Sequence, residues 1–248
     1  MNLESQWALV TGAARRVGRA IAVELARAGA NIIVHCNEGS DEDARKTADA
    51  IEALGASCRI VRAEFTDPAF PEAAARMAES LAGEGVVVRV LVNNAAVYPR
   101  TPFAEITAGE WDRIMAVNLR APFLLAREFG LRMAAAGGGT IINVTDAVAF
   151  PPYKHYLPYL VSKSALSAMT WALAVELAPA VRVNSVAPGA VASSEDWGPE
   201  QAAKALKRTL LKRLGDPVQV ARAVVCLARD ADFTTGAELV IDGGASVN

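Results

Sequence analysis

The chain has 248 residues, a formal net charge of −2 and 52% hydrophobic residues, enough for one large α/β domain with a full core. That charge gives no general attraction to nucleic acid, no apolar run reaches membrane-spanning length, and Met1-Asn2-Leu3-Glu4-Ser5-Gln6 carries no basic-then-apolar leader. Three scattered cysteines and two histidines form neither a disulfide framework nor a metal-ligand cluster, so a cytoplasmic protein without a metal site is expected.

Trp7-Ala8-Leu9-Val10 reads as a strand that ends at Thr11-Gly12. The spacing of Val17, Ile21, Leu25 and Ala28 predicts a helix over 17–28, closed by Gly29. A buried strand over 31–36 follows, then a helix over 41–54, a strand over 57–62 and a helix over 68–81. Residues 86–92 are rich in β-branched side chains, as a strand covered on both faces requires. Residues 107–133 read as one or two helices with Pro122 at a kink or junction. Gly137-Gly138-Gly139 leads to a strand over 140–144, a long helix over 156–177 stops before Pro179, and a strand over 181–187 follows. Helices over 201–211 and 218–227 precede a last strand over 238–241 and Asp242-Gly243-Gly244.

Strand and helix alternate with no polar linker and no repeat. This predicts a single domain over 1–248, an α/β Rossmann-type doubly wound parallel sheet of about seven strands with helices on both faces. Ligands of such sheets bind beyond the carboxyl ends of the strands. Gly12, Asn93, Asp146 and Pro188 all fall just after strand ends and should meet along one edge.

Two stretches carry chemistry. Thr11-Gly12-Ala13-Ala14-Arg15-Arg16-Val17-Gly18 joins the first strand to the first helix, where glycines let the backbone approach a pyrophosphate and the helix N-terminus attracts its charge. An acidic residue at the end of the second strand would take the ribose hydroxyls of NAD, but Cys36 stands there. Arg15 and Arg16 can reach an adenosine phosphate, which favours NADP(H), with Glu38 counting against it. Further on, Tyr159 and Lys163 stand four apart and share one helical face. A phenol of unperturbed pKa about 10 beside an ammonium is a means of making a proton donor.

These motifs, with Asn93-Asn94-Ala95 and Pro188-Gly189, together resemble the short-chain dehydrogenase/reductase family over nearly the whole chain. The resemblance implies that Tyr159 is the proton donor, and that Lys163 lowers its pKa and binds the nicotinamide ribose. Asn118 would hold a water that connects Lys163 to solvent, and Asn93 would stabilise the sheet centre. Glu64 and Phe65 would face the adenine, and Pro188 and Gly189 would pass under the nicotinamide. Gly12, Arg15, Arg16, Val17, Gly18, Asn37 and Ala95 complete the expected cofactor contacts.

The chain departs from that pattern twice. Asp146 replaces the serine that the family carries thirteen residues before the tyrosine, and Arg16 replaces a glycine. Both changes are similar to the pteridine reductases, which reduce pterins with NADPH, as is Asn93-Asn94-Ala95-Ala96-Val97-Tyr98-Pro99-Arg100-Thr101-Pro102. In that branch Tyr98 would stack on the pterin, Arg16 would lie near cofactor phosphates and substrate, and Asp146 would meet the N–H groups of a heterocycle. Ala96 and Glu38 stand where that branch often has serine and arginine. The expected activity is therefore NADPH-dependent reduction of a pterin or dihydrofolate-type small molecule. The alternatives are a 3-oxoacyl-carrier-protein reductase or other carbonyl reductase, and an inactive cofactor-binding sensor. The resemblance further implies a homotetramer, and residues 192–213 read as a substrate lid.

Overall fold

The computed structural model describes residues 1–147, 153–191 and 199–248. Its strands are β1 (Trp7–Val10), β2 (Asn31–Cys36), β3 (Cys58–Arg62), β4 (Val88–Asn93), β5 (Gly139–Val144), β6 (Val181–Pro188) and β7 (Glu238–Ile241). They form one seven-stranded sheet in the order β3-β2-β1-β4-β5-β6-β7, with every neighbouring pair parallel. The helices are α1 (Arg16–Arg27), α2 (Asp41–Glu52), α3 (Phe70–Gly83), α4 (Ala108–Met115), α5 (Ala121–Ala135), α6 (Leu157–Leu177), α7 (Pro199–Arg208) and α8 (Pro217–Arg229).

The two-residue period of the strands divides the interior into two cores. Ala8, Val10, Ile32, Val34, Val90 and Val92 pack against Ile21 and Leu25 of α1 and against Val220, Val224 and Leu227 of α8. Their neighbours Leu9, Ile33 and Leu91 turn to the opposite face, against Phe70 of α3, Leu125 and Phe129 of α5 and Ala174 of α6. Each fully buried large side chain contributes about 1.5–3 kcal/mol. Helices therefore cover both faces, as strands of continuous Val, Ile and Leu require.

The strands run in one direction, so the loops at their carboxyl ends open along one edge. Asn93 lies opposite Asn143 and Val144 opposite Val186. Strand order reverses between β1 and β4, which sets the crevice between the loops that follow them.

The 107–133 segment differs from a simple proline kink. A π-helical turn, Ala116–Arg120, separates α4 from α5. Pro122 sits in the first turn of α5, where its missing N–H costs no helical bond. The extra residue of a π turn re-aims a side chain, and here it accompanies the fully buried Asn118. Helix α3 starts later than residue 68 and runs through Gly83. Helix α7 ends at Arg208, and the chain then returns to the sheet edge, where the Leu211 amide donates to Gly243 O at 3.1 Å. Of the segment read as a lid, 192–198 lies outside the described residues.

Candidate active site

The glycine turn has the shape of a phosphate cradle. Gly12 adopts φ +62°, and a Cβ there would meet Ala95 Cα at 3.0 Å. A Cβ on Gly18 would fall 2.1 Å from Gly12 O, so α1 can approach the turn only without a side chain. Thr11 Oγ1 accepts the Asn94 and Ala95 amides at 2.9 and 3.0 Å. Asn94 Nδ2 donates to Thr11 O and Gly12 O. Helix α1 has no side-chain cap and no acidic residue in its first turn, so its first amides remain for an anion. Arg16 holds φ +52°, a left-handed conformation that costs a non-glycine residue on the order of 1 kcal/mol and explains why a glycine suits this position. A cavity of about 510 Å³ follows the turn, lined among others by Arg15, Arg16, Val17, Asn37, Glu64 and Ala95. These features fit a dinucleotide, with the pyrophosphate at the N-terminus of α1.

At the far end of the cavity, Asn37 Oδ1 accepts from Ser40 Oγ at 2.8 Å. Glu64 Oε1 accepts from the Glu38 amide at 2.8 Å. Burial pushes the Cys36 thiol above its ordinary pKa. Phe65 is 5% exposed and stacks on His35, with ring centres 4.4 Å apart and planes at 11°. Phe65 forms the floor here, and its ring face is taken by His35.

Beyond β5 and β6 the proton-handling groups converge. Tyr159 Oη donates to Asp146 Oδ2 at 2.6 Å. Lys163, one turn along α6, is 3% exposed; its Nζ donates to Val144 O at 2.6 Å and stands 5.9 Å from the centre of the Tyr159 ring. The shared face read from the spacing is therefore present, but the direction of the phenol shift is corrected. Burial, followed by the Asp146 carboxylate, holds the Tyr159 phenol well above the ordinary value. Burial brings Lys163 down to about 8, with Asp146 opposing. The phenol keeps its proton and aims it at Asp146.

Asn118 is fully buried beside α6. Its Nδ2 donates to Val97 O and to Ser162 Oγ, each at 3.0 Å, and its Oδ1 accepts from the Val97 amide at 2.9 Å. Both amide hydrogens are engaged within the protein, and the side chain clamps the Tyr98 loop to α6. Asn93 Nδ2 donates to Asn143 Oδ1 at 2.8 Å, and Asn143 Nδ2 donates to Thr170 Oγ1 at 2.9 Å, which ties β4, β5 and α6 together at the sheet centre.

The chain's four tyrosines gather at the mouth. Tyr98 is half-exposed. It stacks on Tyr156 at 4.3 Å and 16°, meets Tyr159 edge-on at 4.4 Å, and donates from its hydroxyl to Tyr153 Oη at 3.1 Å. One face of the expected aromatic clamp is thus covered by Tyr156, a contact no spacing signalled. The Ala147 amide donates to Pro188 O at 3.0 Å, and the Gly189 amide to Ile241 O at 3.0 Å. A Cβ on Gly189 would lie 2.6 Å from Asp242 Cβ. No motif pointed to Glu238, whose Oε2 accepts from Thr145 Oγ1 at 2.7 Å and from Ser167 and Ser185 Oγ at 2.9 Å each. Glu238 anchors the residue next to Asp146 to the edge strand. Among the described residues no group of His, Cys, Asp and Glu could hold a metal ion, and no helix is long and apolar enough to cross a membrane.

Comparison with known proteins agrees with this geometry. The profile described as Enoyl-(Acyl carrier protein) reductase matches residues 12–246. Dehydrogenase/reductase SDR family member 4 of Homo sapiens is 34% identical over 98% of this chain and 88% of its own. Among solved structures, a blue fluorescent protein from a metagenomic library, in complex with NADPH, superposes with TM-score 0.90 at 31% identity over 99% of this chain and 100% of its own. FolM alternative dihydrofolate reductase 1 from Brucella canis, complexed with NADP, gives TM-score 0.87 at 27% identity over 100% of this chain and 97% of its own.

Proposed function

The chain belongs to the short-chain dehydrogenase/reductase family, and from that premise we propose that it is an NADPH-dependent reductase of a pterin or dihydrofolate-type substrate. The observation that carries this reading is the 2.6 Å hydrogen bond from Tyr159 to Asp146. A ketone oxygen that gains negative charge is served by hydroxyl donors, and a carboxylate beside it would repel that charge. A ring C=N bond needs a proton on nitrogen and offers neighbouring N–H groups that a carboxylate can accept. Arg15 and Arg16, with Cys36 in place of an acidic residue, support NADP(H).

Arg15, Arg16 and the N-terminus of α1 would hold the dinucleotide, which would supply a hydride to the ring carbon of the substrate. Asp146 orients the substrate by accepting its N–H donors while its Oδ2 holds the phenol. The Tyr159–Asp146 unit delivers one proton to the ring nitrogen, and the Lys163 ammonium balances the anionic charge that remains. Tyr98 and Tyr156 wall the pocket mouth and keep water from the reacting atoms. Such proton transfer supplies roughly 10²–10⁴-fold in rate. Leu157, Val161, Trp171 and Val175 expose an apolar stripe along α6, 36–78% accessible, which suits the packing of further copies into a homotetramer. The three free thiols suit a reducing cytoplasm.

The test is NADPH oxidation with dihydrobiopterin, dihydromonapterin, dihydrofolate and an acetoacetyl thioester, by the unsubstituted protein and by Asp146→Ser. Pterin or dihydrofolate turnover that Asp146→Ser lowers by about 10²-fold or more is expected. Thioester turnover exceeding all the others in the unsubstituted protein would refute the heterocycle and select the carbonyl reductase.

A further inference from the structure

His35 is a buried histidine that the chemistry above does not use. It lies in β2 and is 3% exposed. Strand alternation puts it on the face of Ile33, under the loop that follows β3. Its Nδ1 lies 3.1 Å from the Gly12 amide nitrogen, and its Nε2 lies 3.1 Å from Ala63 O. A backbone amide can only donate and a carbonyl can only accept. The partners therefore fix the tautomer, with a lone pair on Nδ1 and the hydrogen on Nε2. The flat of the ring rests on Phe65, which in turn tilts against Phe70 at 4.7 Å.

One imidazole thus joins two loops that lie far apart in sequence. On one side is the glycine turn, whose Gly12 holds a left-handed φ and packs against Gly18 and Ala95. On the other is Ala63-Glu64-Phe65, at the adenosine end of the same cavity. The backbone of β2 reinforces the link, since the Ala13 amide donates to His35 O at 3.0 Å and the Ala63 amide to Cys36 O at 3.2 Å. Rotation of the Gly12 peptide would move Gly12 O, against which Gly18 is packed, and would reshape the cradle. A leucine or valine in this strand position would fill the space but leave the Gly12 amide and Ala63 carbonyl without these partners.

We infer that His35 is a positioning residue for the dinucleotide: its neutral ring holds the pyrophosphate turn and the adenosine loop as one unit and so sets cofactor affinity without entering the hydride or proton steps. This rests on the reading of the cavity as a nucleotide site. Burial, which brings the imidazole down to about 4, keeps the ring in the required neutral form near neutral pH.

The experiment uses the full chain with NADPH as the probe, measuring the dissociation constant by fluorescence titration and the melting temperature in parallel. His35→Phe keeps a ring over Phe65 but loses both hydrogen bonds. His35→Asn keeps an acceptor for the Gly12 amide, and His35→Gln keeps a donor that can reach Ala63 O. The expected result is a Kd raised about 10–100-fold in His35→Phe and substantially restored in His35→Asn. Should His35→Phe not fold, His35→Asn must still bind NADPH more tightly than His35→Gln. Unchanged affinity in His35→Phe, or tighter binding by Gln than by Asn, would overturn the inference. Absence of NADPH and NADH binding in the unsubstituted protein would overturn the nucleotide reading and the inference with it.

Discussion

Replacing Lys163 by methionine should make the cofactor-free protein more stable while removing its activity. The ammonium is buried, and its pKa falls from 10.5 to about 8. That difference makes the charged form about 3 kcal/mol less favourable in the fold than in water. Methionine fills a similar volume without the charge. It also leaves Val144 O without its 2.6 Å donor, which costs about 1–2 kcal/mol. The net gain is about 1–2 kcal/mol, or roughly 2–8 °C in melting temperature for a chain of this size. The pH dependence gives a second check. Since the folded pKa lies below the unfolded one, the unfolded chain holds more protons between about pH 8 and 10.5. The contribution of Lys163 to stability therefore rises with pH through that window, and the difference between parent and variant should shrink across it. Calorimetric melts of both proteins at pH 7 and at steps up to pH 10.5 make the measurement. A variant that melts below the parent at pH 7, with a difference independent of pH, would refute the claim that burial strains this lysine.

Tyr159→Phe removes the phenol that donates to Asp146; kcat should fall about 10²–10⁴-fold while the Kd for NADPH stays within about threefold. Arg16→Gly relieves a left-handed φ of +52°; the melting temperature should not fall, and NADPH should bind at least about tenfold more weakly while NADH is little changed. Equal losses for the two nucleotides would show that Arg16 does not read the adenosine phosphate. Gly18→Ala places a methyl 2.1 Å from Gly12 O; the protein should lose about 5 °C or more in melting temperature and bind NADPH poorly, as titration and melting in the same buffer would show.

Period-two and helical patterns are local, and the strands they specify stand close to where the residues place them, while the bounds of α3 and α7 shift by two or three residues. Trp7–Val10, Asn31–Cys36 and Glu238–Ile241 match residue for residue, because each is a short apolar run between turn residues. The juxtaposition of Gly12, Asn93, Asp146 and Pro188 followed from strand direction alone. What could not be read were contacts made across the sheet. The π turn at Ala116–Arg120 accompanies an Asn118 that reaches Val97 and Ser162, and only Pro122 hinted at a break there. The Tyr159–Lys163 spacing gave the face but not the sign of the phenol shift, since burial sets it first and the carboxylate that adds to it arrives from the loop after β5. His35 carries no local signal of its role, because both its partners lie in other loops.

Glu238 bears on when the site takes shape as the chain folds. Thr145, the neighbour of Asp146, hangs from a carboxylate in β7, the edge strand of the sheet. A chain with β1 through β6 in place would own the phenol, the lysine and the carboxylate at 146 yet lack the clasp that steadies them. Competence should therefore arrive only as the edge strand docks.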